Sequence, residues 1–291
     1  MNKLILIIIF FNYSATSLDY KMYCDELFCK DKKSNHTVCL RKDVQCRPIE
    51  NCKTLPMTRE LRQVVVDQHN EMRNRFASGK DVYHNQPNAA SNLMVINYDL
   101  ELEEVVKCHL NTCTFDHDVC RKTKKFSTVG QNTFKGNGLF NPYKINKAMM
   151  AWYSEIKNVE PERYIKYTLA KPNAPETGHF TQLVWSKSEF IGCTASTDGT
   201  ILYFGCNYGP AGNVDGVRTV KWGTPCSECP NKLKCNSKYK SLCGDLLAIP
   251  DPPGTKPGAS SLSTFAPSLK NCKNKTYFAL VLLLYAIIVF I

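Results

Sequence analysis

Two stretches of the 291-residue chain decide its fold: GHFTQLVW at residues 178–185 and YFGCNYGPAGNV at residues 203–214. Apolar, β-branched and aromatic residues predict strands at 180–185, 190–195 and 201–207. The dipeptide Asp198-Gly199 separates the last two runs and predicts a hairpin turn. Cys193 and Cys206 flank that turn, so a disulfide between them would join adjacent strands.

Helices are predicted upstream of these strands. Apolar residues recur at helical spacing in residues 58–77, 99–113 and 143–158. Thr58 is a good N-cap for the first helix, and Gly79 follows its end. Helices followed by strands predict one layered domain in which helices pack on a sheet.

The N-terminus is typical of a secretory signal peptide at residues 1–17. Lys3 precedes an apolar run from Leu4 to Phe11, and small residues follow at 15–17. This run is shorter than the roughly 20 apolar residues that cross a bilayer. An uncleaved signal anchor is the alternative.

The C-terminal residues 271–291 predict a glycolipid (GPI) anchor signal. An apolar tail follows a polar spacer, and small residues precede the spacer. A transmembrane helix at the same place is the alternative. The Pro-, Ser- and Gly-rich residues 249–270 predict a stalk without a core.

The cysteine content indicates an oxidising compartment. The chain has 15 Cys, and only Cys272 lies in the tail that anchor attachment would remove, which leaves 14 for seven disulfides. The formal net charge is +11, yet there is no long Lys/Arg run and no nucleic-acid motif, so no nucleic-acid partner is expected.

The two stretches quoted above resemble the signatures of the CAP superfamily, which contains cysteine-rich secretory proteins, insect venom allergens and plant pathogenesis-related proteins. Shorter matches precede them in the family's order: His69-Asn70, Gly130-Gln131-Asn132 and Trp152-Tyr153-Ser154-Glu155. The resemblance implies an α/β fold, a three-layer α-β-α sandwich with a small disulfide-rich C-terminal extension. It implies a Cys-rich N-terminal extension at 18–57, a CAP core at 58–222 and a Cys-rich hinge-like module at 223–248.

The run from Phe115 to Cys120 is similar to the venom-allergen branch of that superfamily. That similarity implies a set of disulfides: Cys24–Cys39, Cys29–Cys120, and either Cys46 or Cys52 with Cys113, the other of the two being left for Cys108. Similarity of the hinge-like module to cysteine-rich secretory proteins implies Cys226–Cys235 and Cys229–Cys243. A zinc site made of these last four cysteines is the alternative.

The resemblance also implies a central cleft with two histidines and two acidic side chains. The matching positions are His117, Gln131, Glu155 and His179, with Gln131 standing where Glu is common. Neutral imidazoles bind zinc or another divalent metal, and a carboxylate either completes the shell or accepts the other ring N–H. Gln131 cannot accept a proton, which weakens acid–base catalysis more than metal binding. A weakly held metal is therefore expected; a structural hydrogen-bond cluster is the alternative.

Other polar residues have structural or covalent roles in this interpretation. His69 and Asn70 lie in the first predicted helix and are expected to satisfy buried polar groups. Asn35-His36-Thr37 is a glycosylation sequon, with Asn35 as the acceptor.

The resemblance implies a non-enzymatic binding module for a sterol or other lipid, or for an extracellular protein. Residues 126–143 are a candidate apolar lip for a lipid, and an ordinary loop on the core is the alternative. No G-x-S-x-G or H-E-x-x-H motif is present, so no catalytic residue is predicted. The alternatives are a metal-dependent hydrolase (protease- or esterase-like) and a secreted effector of the venom or saliva type. We expect an extracellular monomer, either secreted or anchored at the cell surface.

Overall fold

The computed structural model describes residues 18–32, 34–81, 89–169 and 171–251. The predicted signal peptide (1–17), nearly all of the stalk (249–270) and the anchor signal (271–291) lie outside the described residues and stay predictions. Within the described ranges, no helix has the length and apolar character needed to cross a membrane.

Seven helices and five strands are described. The helices are α1 Tyr20–Tyr23, α2 Thr37–Leu40, α3 Arg59–Ala77, α4 Leu100–Leu110, α5 Pro142–Tyr153, α6 Pro161–Ile165 and α7 Gly178–Leu183. The strands are β1 Lys53–Leu55, β2 Asn97–Tyr98, β3 Gly130–Asn137, β4 Phe190–Thr197 and β5 Ile201–Gly209. Short 3-10 turns occur at Lys30–Lys32, Lys42–Val44, Ser154–Asn158 and Pro230–Lys232.

The sheet is built around the predicted hairpin. Its order is β1-β4-β5-β3 with antiparallel neighbours, and β2 pairs in parallel with β4. The carboxylate of Asp198 accepts the backbone N–H groups of Thr200 at 2.9 Å and Ile201 at 2.7 Å, and Gly199 adopts φ +95°. The hairpin turn is therefore confirmed, with Cys193 directly opposite Cys206.

Helices cover both faces of this sheet. On one face, α3 and α5 bury Val65, Phe76 and Met149 in the same core as Ile191 and Phe204. On the other face, α4 packs Val106 and Leu110 against Tyr203. The three-layer α-β-α sandwich is thus confirmed.

Gly192 of β4 allows α4 to approach the sheet closely. A Cβ atom at this position would lie 2.1 Å from the backbone nitrogen of Glu103. Only glycine leaves room for the start of α4 at this point.

The predicted strand at 180–185 is wrong, because most of this segment belongs to helix α7. The segment has no solvent-exposed face, because the structure buries Phe180, Thr181, Gln182 and Leu183 alike. A short, uniformly buried segment carries neither helical nor strand periodicity, and the sequence pattern does not separate the two.

Other boundaries also differ from the prediction. The helix predicted at 99–113 ends at Leu110, and the one predicted at 143–158 ends at Tyr153 and continues as a 3-10 turn. The edge strand β3 was not predicted, because its two glycines and two asparagines weaken a strand pattern.

Seven disulfides join described cysteines. The pairs are Cys24–Cys39, Cys29–Cys120, Cys46–Cys108, Cys52–Cys113, Cys193–Cys206, Cys226–Cys235 and Cys229–Cys243. The choice left open by the sequence is thereby made: Cys52 pairs with Cys113, and Cys46 pairs with Cys108. The sulfur atoms of Cys226, Cys229 and Cys243 lie within 4.8 Å of one another. They are cystine sulfurs, however, and only thiolates bind zinc well, so the alternative zinc site of the hinge-like module does not fit.

Buried polar side chains of α3 attach this helix to its surroundings. The His69 ring bonds to the Val65 carbonyl and to the Tyr208 hydroxyl, each at 2.8 Å. The Asn70 side chain donates to the Ile96 carbonyl at 2.8 Å and accepts from the Ile96 N–H at 2.7 Å. Both residues are fully buried, and their hydrogen bonds are structural.

Candidate functional site

His179 and Glu155 form the first of two side-chain pairs in the predicted cleft. His179 lies in the first turn of α7, and Glu155 lies in the 3-10 turn that follows α5. The ring Nδ1 is 2.6 Å from Glu155 Oε1. Glu155 Oε2 accepts the backbone N–H groups of His179 and Phe180 at 3.0 and 3.1 Å. This carboxylate therefore orients the ring and caps the start of the helix.

His117 and Gln131 form the second pair. His117 is an exposed residue of the segment after α4, and Gln131 is buried on β3. His117 Nδ1 is 2.7 Å from Gln131 Oε1. Partial burial lowers the pKa of His117, and the positive charges of Arg121 and His179 lower it further. The second histidine is thus close enough to influence the first electrostatically.

The edge strand β3 contacts both side-chain pairs. Adjacent residues of a strand point to opposite faces of its sheet. Gln131 contacts His117 on the face that carries α4, whereas the Asn132 side chain donates to the His179 carbonyl at 3.0 Å on the other face. The two histidines thus contact neighbouring residues of the same edge strand from opposite faces of the sheet.

Both rings use Nδ1 for a hydrogen bond to a side-chain oxygen. This arrangement leaves Nε2 of each imidazole as the nitrogen for a metal, and it is the orientation that carboxylates and amides impose on metal-binding histidines. Among the described residues, the one group of three His, Cys, Asp or Glu ligands within 4.8 Å is the disulfide-bonded set of the hinge-like module. His117, Glu155 and His179 are not in that group, and the contact that Glu155 makes with the His179 ring is at Nδ1.

An open cleft of about 490 Å³ lies beside His117 and Gln131. Gln182, Asn213 and the backbone of Gly212 also line it, but His179 and Glu155 do not. Two basic lining residues are already paired: Arg121 with Asp118 at 2.5 Å and Lys122 with Asp31 at 2.5 Å. The lining mixes polar and apolar residues, and Lys32 is a third basic residue on it.

Asp118 lies directly behind Gln131 and was not among the predicted site residues. Its side chain is only 8 % exposed. It accepts from Gln131 Nε2 at 2.9 Å and from the Thr37 hydroxyl. The available signal was its place next to His117 within the venom-allergen-like run.

The candidate lip at 126–143 is not one apolar surface. Phe126 is buried, and Phe134 and Phe140 pack against the main core. Residues Gly130–Asn137 form β3, which leaves 126–129 and the connection to α5 as loop, with Leu139 83 % exposed. The alternative of an ordinary loop on the core does not describe the whole segment either, because part of it is strand β3 and much of it is exposed.

The predicted glycosylation site lies close to the same network. Asn35 is exposed, whereas the hydroxyl of Thr37 is buried and donates to Asp118 and to the Cys120 carbonyl. Because Thr37 is buried in the folded protein, the glycosylating enzyme would have to recognise this sequon before the chain folds. Glycosylation of Asn35 stays a prediction.

The fold and the cleft define a class: disulfide-bonded α-β-α sandwiches with two imidazoles at the edge of the sheet. The model of the cysteine-rich secretory protein (CAP) family matches residues 66–208. A cysteine-rich venom protein of the scorpion Tityus serrulatus is 33% identical over 237 residues, 79% of this chain and 55% of that protein. Venom allergen 3 of Solenopsis invicta is 34% identical over 209 residues, 67% of this chain and 87% of that protein. The chain belongs to the CAP family.

Solved structures agree with this membership. The crystal structure of NaASP2 with Zn²⁺ is 28% identical, has a TM-score of 0.55, and is matched over 68% of this chain and 100% of that one. The chain spans about half the length of the Tityus relative, 55%. Its relatives include secreted venom proteins, and seven disulfides are typical of an extracellular environment.

Proposed function

We propose that this protein is a non-enzymatic extracellular binding protein that holds a divalent metal, zinc or a similar ion, beside its cleft, through Nε2 of His117 and Nε2 of His179. The observation that carries the proposal is the engagement of both Nδ1 atoms, at 2.7 Å by Gln131 and at 2.6 Å by Glu155. Two imidazoles leave the remaining metal positions to water or to a partner. The metal would therefore be weakly held and open to an external ligand.

The chemistry of the cleft supports binding more than hydrolysis. Glu155 already accepts three hydrogen bonds, two of them from backbone N–H groups. Both of its oxygens are therefore already engaged by donors of the protein itself. Gln131 cannot accept a proton, so the pair of carboxylates needed for acid–base work is missing from these four positions.

Zinc binding tests the proposal directly. Calorimetric titration of the metal-free protein with zinc is expected to show one weak site, and the variant H117A/H179A is expected to lose at least about tenfold in affinity because both ligand nitrogens are gone. The control is H109Q, since His109 bonds through Nε2 to the Asp116 carbonyl at 2.7 Å, outside the two cleft pairs. Equal zinc uptake by the double variant and the wild type would refute the site.

Attachment to a membrane is a second part of the proposal. Small residues precede a polar spacer, and an apolar tail follows the spacer within 271–291. This order supports a glycolipid anchor. Phosphatidylinositol-specific phospholipase C is then expected to release the protein from intact cells into the medium, with mock-treated cells as the control. Protein that stays in the membrane fraction after treatment would instead support a spanning tail.

The partner of the cleft is proposed as a lipid or sterol, or as an extracellular protein. A metal with open positions favours a partner that offers an oxygen or nitrogen ligand. A monomer suffices for this arrangement, because all four cleft residues come from one chain.

A further inference from the structure

Asp118 constrains the orientation of the Gln131 amide. The Gln131 Nε2 atom is 2.9 Å from Asp118 Oδ1. Asp118 is held in place by Arg121 Nε at 2.5 Å and by the hydroxyl of Thr37. An ionised carboxylate only accepts hydrogen bonds, so Gln131 must turn its NH₂ group towards Asp118.

Asn207 follows the direction of the hydrogen bonds that Gln131 makes and does not set it. Its Oδ1 accepts from Gln131 Nε2 at 3.0 Å, while its own buried Nδ2 finds no hydrogen-bond partner among the described residues. An amide can reverse its two ends, but a carboxylate cannot exchange acceptance for donation. Asp118 is therefore the member of this network that fixes its direction.

The direction determines which nitrogen of His117 carries the proton. With its NH₂ group facing Asp118, Gln131 presents Oε1 to His117 Nδ1 at 2.7 Å. The oxygen is an acceptor, so Nδ1 of the neutral ring must be the donor and Nε2 keeps its lone pair. We infer that Asp118 is a positioning residue that acts through Gln131 to hold His117 in the tautomer that binds metal.

This role also accounts for the glutamine at position 131. A glutamate there would bring a second carboxylate oxygen to the position of Nε2, 2.9 Å from Asp118, where two acceptors of like charge repel. In this chain the carboxylate of Asp118 is instead one hydrogen bond further from the His117 ring, and the neutral amide of Gln131 transmits the orientation. Asp118 and Gln131 are a matched pair.

Nitrogen NMR of the metal-free full-length protein tests the inference, at a pH at which the imidazoles are neutral. The wild type is expected to show His117 only as the Nδ1–H tautomer. The variant D118N replaces the acceptor-only carboxylate with an amide that can turn either its oxygen or its NH₂ group towards Gln131, so His117 is expected to populate both tautomers and zinc affinity to fall about tenfold. Adding Q131E to D118N places an acceptor-only carboxylate next to His117 and is expected to restore the single tautomer.

The matched control is D31N. Asp31 pairs with Lys122 beside the same cleft and is not among the hydrogen-bond partners of Gln131, so tautomer and affinity should not change. A single Nδ1–H tautomer and unchanged zinc affinity in D118N would overturn the inference. So would an Nε2–H tautomer in the wild type, a measurement that does not require D118N to fold.

The metal part of this inference rests on the proposed function, but the tautomer does not. If the wild type binds no zinc, the proposed metal site fails, whereas the NMR spectrum of the metal-free protein still decides the role of Asp118. If zinc binds and D118N behaves as the wild type in both measurements, the site stands and Asp118 has no positioning role.

Discussion

Replacing Arg73 with methionine is expected to lower the free energy of unfolding by about 4 kcal/mol or more. Arg73 lies in α3 and is fully buried. Its guanidinium donates to the carbonyls of Met94 (2.9 and 2.6 Å), Leu183 (2.7 Å), Trp185 (3.0 Å) and Ser188 (3.1 Å). Methionine keeps much of the side-chain volume but leaves these carbonyls without their donor, at about 1–3 kcal/mol for each that stays unsatisfied.

Denaturant unfolding without reductant measures this loss, with R59M as the matched control. Arg59 lies on the same helix, but its side chain is 47% exposed and pairs with Asp251. An exposed pair contributes about 0–1 kcal/mol, so R59M should be nearly neutral. Equal effects of the two substitutions would show that the buried donors of Arg73 do not hold α3 to its neighbours.

Acidification from pH 6.5 towards 4 is expected to destabilise the protein steeply. Burial lowers the pKa of His36 to about 4 and that of His69 to about 3. The His36 ring stacks on Tyr23, with 4.4 Å between centroids, and is bonded to the Lys122 carbonyl at 2.8 Å. Its Nδ1 accepts the Val38 N–H at 3.1 Å, a bond that the protonated ring cannot make.

The sign of the effect follows from proton uptake. Both histidines titrate near pH 6.5 in the unfolded chain but stay neutral in the folded protein, so the unfolded state binds more protons between pH 6.5 and about 4. Each proton contributes about 1.4 kcal/mol per pH unit, which gives up to about 2.7 kcal/mol per unit for the pair. Stability is complete above pH 6.5 and is lost as the pH falls towards the folded values.

Unfolding free energies measured at intervals between pH 7 and 4.5 test this slope. Buried carboxylates such as Asp118 have a lowered pKa and lose their contribution mainly below the range used here. H36Q should show a shallower slope than the wild type, since one of the two fully buried rings is gone, while the lowered pKa of His117 contributes to the slope of both proteins. A stability that stays constant across this range would contradict the neutral, buried state of both rings.

Much of the fold could be predicted from local sequence. The Asp198-Gly199 turn between two apolar runs predicted the hairpin, and helical spacing after Thr58 predicted α3, which starts at Arg59. These signals are local, because a turn residue or a cap acts on neighbours within a few positions.

The site could be predicted only in part. Resemblance identified His117, Gln131, Glu155 and His179, and it left open whether the carboxylate completes a metal shell or accepts a ring N–H; in the structure Glu155 contacts Nδ1 of His179. Nor did it identify Asp118, whose contact with Gln131 joins two segments of different structure. Hydrogen-bond direction depends on which atoms face each other after folding, and residue types alone do not specify it.

By itself, the sequence determined the hairpin, the long helices and the family to which the chain belongs, since each depends on patterns that lie within one segment. Tertiary structure alone decided that residues 178–183 form a helix, that Cys46 pairs with Cys108, and that His117 and His179 both contact strand β3 through neighbouring residues. The physical reason is that burial, pairing and hydrogen-bond polarity arise between segments distant in the chain, where no short-range pattern acts.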